Sequence, residues 1–167
     1  MKIQELLNED FHKRQNVINE MVEKLKGGQD PTIKHDVLAT LRDDSIKIGS
    51  HEKNIAIGLV EKTKMTDAVP SLYPLLKVTI VSGIGEKVKQ PVNAMIAIGK
   101  EGIPELLRCV EEDDDNSVPY QVVASILYHW FGSDRKALHD FLVENRDTRL
   151  NSKNKFDMLI DVVEKWK

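Results

Sequence analysis

Apolar residues along this chain come as short stripes at helical spacing, separated by polar or glycine-containing breaks. Ile3, Leu6, Leu7, Phe11, Ile18, Met21, Val22 and Leu25 recur mostly three and four apart, which predicts a single long amphipathic helix ended by Gly27-Gly28. Asp30-Pro31 is a start signal, with Asp as cap and Pro in the first turn, and Ile33, Val37, Leu38 and Leu41 supply the next inward stripe. The segment 43–49 reads as the loop that closes this pair.

A third helix is expected over 51 to 64, with Ile55 and Leu59 inward. A fourth begins at the Thr66-Asp67 cap and carries Val69, Leu72, Tyr73, Leu75, Leu76 and Ile80. Pro74 lies past its first turn, where a proline bends or loosens a helix. The β-branched run Val78-Thr79-Ile80-Val81 resembles a strand, but one isolated strand has no pairing partner here, so it is read as helix. Ser82-Gly83-Ile84-Gly85 then breaks the chain. Further helices follow over 86–98, 102–112, 117–131 and 134–145, with Ser117 and Ser133-Asp134 as start signals. A last one opens at Asn151 or Ser152 and carries the stripe Phe156, Leu159, Ile160, Val163 and Trp166. Nine helices without a convincing strand or long linker predict an all-α single domain over 1–167.

Composition narrows the class. With 167 residues, 41% apolar and 31% charged, the chain has enough apolar material for one real core. A net charge of −3 gives no global field for nucleic acid, and the acidic excess lies in the second half. Cys109 is the only cysteine, which excludes an intrachain disulfide and a thiolate metal cluster. Charges interrupt the first residues as they would not in a secretory leader, and no apolar run approaches the roughly 20 residues of a membrane span. A cytoplasmic location is the expectation.

One pattern recurs. Ala56-Ile57-Gly58 leads to Val69-Pro70-Ser71-Leu72, Ala97-Ile98-Gly99 to Ile103-Pro104-Glu105-Leu106-Leu107, and Trp130-Phe131-Gly132 to Arg135-Lys136-Ala137-Leu138. The second members are offset by about 34 and then 32 residues, the period range of stacked helical repeats. These motifs, with the acidic loop Glu111-Glu112-Asp113-Asp114-Asp115 and the following Val122-Val123-Ala124, resemble HEAT repeats in the short form of phycobilin-lyase-like proteins. The resemblance is clearest over 51–147; 1–45 fits as a degenerate first pair and 151–167 as a C-terminal cap. It implies a right-handed α-solenoid of about four antiparallel helix pairs plus the capping helix, second helices lining a concave face that binds protein. Two positions depart from the family: Val118-Pro119 replaces the usual Val-Arg, whose Arg binds the neighbouring loop, and the link after Gly58 is long. Stacking is also demanded physically, because one helix pair cannot bury its own apolar faces.

Catalytic signatures are sparse. His12, His35, His51, His129 and His139 show no spacing that sets two ligands on one helix face, and His129 with His139, in adjacent helices, is the one pairing to inspect. Arg108 beside Cys109 would lower a thiol pKa, but the stripe Ile103, Leu106, Leu107 and Val110 marks Cys109 as a small core-side residue. The carboxylates of 111–115 are adjacent and so diverge, the mark of a solvated loop. No catalytic residue, metal site or cofactor is expected.

At 100° per residue the second helices turn Ser71, Pro74 and Val78 outward on the first, Glu105, Arg108 and Glu112 on the second, and Lys136, Asp140 and Glu144 on the third. Side by side, these rows form a ridge apolar at one end and acidic at the other. It suits a basic or mixed protein partner, acids steering the encounter and the apolar end anchoring it. The expected function is therefore a protein-binding scaffold. A narrower version is an immunity or antitoxin-like protein that neutralises a basic toxin. A HEAT-like nucleic-acid binder would need a basic groove with aromatics, which the acidic ridge opposes, and a phycobilin-lyase-like role would need tetrapyrrole binding.

Overall fold

A computed structural model describes residues 3–28, 30–81, 89–114 and 116–166, with the side chains at 4, 8, 78–81 and 150 outside that description. Among the described residues all regular structure is helical: α1 (Phe11–Lys26), α2 (Pro31–Arg42), α3 (His51–Thr63), α4 (Val69–Val81), α5 (Lys89–Ile98), α6 (Ile103–Glu112), α7 (Tyr120–Trp130), α8 (Arg135–Thr148) and α9 (Lys153–Glu164). Short 3-10 turns lie at Ile3–Asn8, Thr66–Ala68, Lys100–Gly102 and Leu150–Ser152. The β-branched end of α4 is helical through Val81, as the lack of a pairing partner required. The expected break at 82–85 and the start of the fifth helix at 86 lie outside the described residues.

Side-chain caps set several starts. Asp10, Asp30, Ser50 and Asp134 accept from the amides of Lys13, Thr32, Lys53 and Ala137, each satisfying an amide that the first turn leaves open. Two expectations fail on such local chemistry. The long first helix is in fact a 3-10 turn followed by α1, because Asp10 caps a new start and Arg14 binds the carbonyls of Leu6, Leu7 and Glu9 at the break. Phe11 therefore leaves the inward stripe and is 72% exposed. Ser117 is not the cap of α7, which begins at Tyr120; its hydroxyl is bonded instead to Asp113.

Helices pack on sequence neighbours, α2 on α3, α4 on α5 and α8 on α9 among them, and on next-but-one helices as well. α1 contacts α3, α3 contacts α5, α5 contacts α7 and α7 contacts α9; α2 contacts α4, and α4 contacts α6. The buried apolar side chains form one cluster running from Ile3 and Leu6 to Ile160 and Val163. Trp130 is its largest joint: its indole N–H donates to the carbonyls of Met95 (3.1 Å) and Ile96 (3.2 Å) on α5. Gly102 lets the ring close on the α5–α6 turn, since a β-carbon there would stand 2.9 Å from the ring. Gly99 bends the same turn at φ 84°, open to glycine at little cost. Gly58, by contrast, does not end a helix; it lies inside α3.

Candidate functional site

The ridge residues sit on α4, α6 and α8. Pro74 lies inside α4 and is exposed. Val78 is on the same helix, its side chain outside the described residues. Ser71 does not face outward: it is buried and accepts from Arg42 Nε at 2.9 Å, which ties α2 to α4.

On α6 the spacing i, i+3, i+7 brings Glu105, Arg108 and Glu112 to one face. Arg108 bonds Glu105 Oε2 at 2.8 Å through Nη2 and the two Glu112 oxygens at 2.9 and 2.8 Å through Nη1. Hydrogen bonds and charge from both carboxylates push the guanidinium pKa up. Two carboxylates per cation leave this exposed fork negative. Cys109 beside it is half-buried, and burial pushes its thiol up to about 11 against the opposing pull of Arg108. It is a packing residue with little thiolate near neutrality.

On α8, Lys136 Nζ lies 2.8 Å from Asp140 Oδ2, and that bond first of all holds the Asp140 carboxyl below its ordinary value. Glu144 is exposed one turn further on. The structure brings the α4 and α6 rows onto contacting helices, whereas the principal helix contacts of α8 are with α9 and α7. His139 faces α9, with Nε2 3.1 Å from Glu164 Oε1, and His129 is exposed at the end of α7 beside Tyr128. Among the described residues no group of three or more His, Cys, Asp or Glu is arranged to hold a metal ion.

The acidic loop is more than solvated. Asp113 is only 11% exposed and collects the Tyr73 hydroxyl (2.9 Å), Lys77 Nζ (2.6 Å) and the Ser117 hydroxyl (2.7 Å). Burial pushes its carboxyl up, but the bonds from Lys77, Ser117 and Tyr73 outweigh this and hold it below its ordinary value. Tyr73 is raised far above the usual phenol range by burial and by its bond to Asp113. Glu111 pairs with Arg149 at 2.6 Å.

Two buried lysines bind the carbonyl ends of helices. Lys53, 2% exposed, donates to the carbonyls of Leu41 (2.7 Å) and Asp43 (2.9 Å) at the end of α2. Lys155, 7% exposed, donates to the carbonyls of Glu111 (2.8 Å) and Asp113 at the end of α6. Both stand three residues after a serine, in Ser50-His51-Glu52-Lys53 and Ser152-Lys153-Asn154-Lys155, a shared spacing that marks them in the sequence.

Comparison with known protein families, curated proteins and solved structures returns no match. Among the described residues, no helix is long and apolar enough to cross a membrane.

Proposed function

We propose that the chain is a HEAT-like α-solenoid whose helices α4 and α6 present a docking ridge to a protein partner. The alternating contacts, α1 to α3 to α5 to α7 to α9 on one side and α2 to α4 to α6 on the other, are what a stack of helix pairs produces. The observation that carries the functional reading is the exposed Glu105–Arg108–Glu112 fork on α6 together with the exposed Pro74 on α4, a helix that α6 contacts. Exposed ion pairs of this kind add little to folding, about 0 to 1 kcal/mol in general, so the fork is free to exchange an internal contact for a partner's cation. Pro74 supplies an apolar contact whose backbone donates no hydrogen bond. A partner with Lys or Arg around an apolar anchor matches this surface.

The test is affinity capture with the intact chain and with the double substitution Glu105→Lys, Glu112→Lys. The wild type should retain proteins at micromolar concentration in a salt-sensitive manner, and the variant should lose them at unchanged melting temperature. Retention of the same proteins by both chains removes the ridge as the docking surface.

A further inference from the structure

A second surface lies on the odd-numbered helices. Between α1 and α3 runs an open groove of ≈ 380 Å³ with Phe11, Ile18, Ile55 and Gly58 as its apolar lining. Phe11 is 72% exposed, a ring held in water at the mouth of the groove. Arg14, His51 and Lys62 stand around it, and none of the described residues lining it is Asp or Glu. In a chain of net charge −3 this is a local reversal of sign.

Gly58 is the second observation. It occupies the interior of α3, where glycine costs stability relative to alanine. Nothing in the packing of the described residues calls for it, because a β-carbon at this position meets none of their atoms within 4 Å. At Gly102 the missing side chain makes room for Trp130; at Gly58 the room is left empty. A side chain here would stand in the groove, so the absent one keeps its floor open to something from outside.

We propose that this groove docks an acidic amphipathic segment of a partner protein, its apolar side chains laid along Phe11, Ile18 and Ile55 over Gly58 and its carboxylates facing Arg14, His51 and Lys62. A peptide is favoured over an anionic membrane because the apolar lining, apart from Phe11, is recessed between two helices. The surface is distinct from the α4/α6 ridge and stands or falls separately.

The probe is a displayed library of random peptides selected on the full chain, with enriched sequences resynthesised and measured by fluorescence polarisation. Binders should combine Leu, Ile or Phe with Asp or Glu and weaken as salt rises. Gly58→Leu, which fills the groove, should weaken them about tenfold or more while leaving the melting temperature equal or higher, and Phe11→Ala and Lys62→Glu should each weaken them several-fold. Glu105→Lys with Glu112→Lys should leave them unchanged. The proposal is overturned if no peptide is enriched, if the enriched peptides are basic, or if Gly58→Leu binds them as the wild type does. Gly58-independent binding to phosphatidylglycerol vesicles in place of peptides overturns it as well.

Discussion

At Lys53 and Lys155 an ammonium group closes the carboxyl end of a helix that precedes it in the chain. The last carbonyls of a helix lack intrahelical partners and carry the negative end of its dipole, so a cation there is well paired although burial pushes the Lys53 ammonium pKa down, and its removal leaves acceptors dry. Lys53→Met and Lys155→Met keep the apolar stem and lose the donor; each should lower the urea-unfolding free energy by about 1.5 to 3 kcal/mol, the range for hydrogen bonds to charged groups. Asp113 adds a pH dependence. Its folded-state pKa lies below the unfolded value of 3.8, so its contribution is full above that value and is lost as pH falls through the folded one. Denaturation midpoints should therefore drop below about pH 4, and Asp113→Asn should flatten that acid limb while lowering stability at pH 7. Cys109, at about 11, should alkylate slowly at neutral pH in the folded chain and rapidly once unfolded, as mass spectrometry of timed iodoacetamide reactions would read.

Elements meet where small residues and caps allow. The turn from α5 to α6 is tight because Gly99 takes a positive φ and Gly102 admits the Trp130 ring. Gly102→Ala would set a β-carbon against a ring fixed by its bonds to Met95 and Ile96, an overpacking expected to cost about 1 to 3 kcal/mol in chemical denaturation. Caps were the most legible elements: Asp30-Pro31 and Asp134 start their helices as the sequence implied. Ser117 shows the limit of that reasoning. A serine before Val-Pro has the form of a cap, but Asp113 lies within reach of its hydroxyl and takes it, and nothing in the local sequence reports that competition. The break at Asp10 is equally hidden in the sequence, since the apolar spacing of Ile3, Leu6 and Leu7 stays in phase with a continued helix.

Among the described residues the buried apolar side chains join into one cluster, to which α9 contributes Phe156, Leu159, Ile160 and Val163. Phe156 is fully buried, with α9 packed on α7 and α8, and Trp166 meets Tyr128 edge-on at 5.3 Å. Phe156→Ala should cost about 3 to 5 kcal/mol. If the cluster unfolds as a unit, circular dichroism and Trp130 fluorescence will shift together rather than in two steps. The class of structure and most of its stripes are written in the chain itself, because helical periodicity and capping depend on neighbours a few residues away. Ile33, Val37 and Leu41 on α2 and Leu106, Leu107 and Val110 on α6 were identified in this way and are buried. The partners of Asp113, the carbonyls held by Lys53 and Lys155, the exposure of Phe11 and the open space over Gly58 were decided only by the tertiary structure. Each depends on groups that folding brings together, or holds apart, from different helices, and on the competition among them for the same hydrogen bonds and the same space.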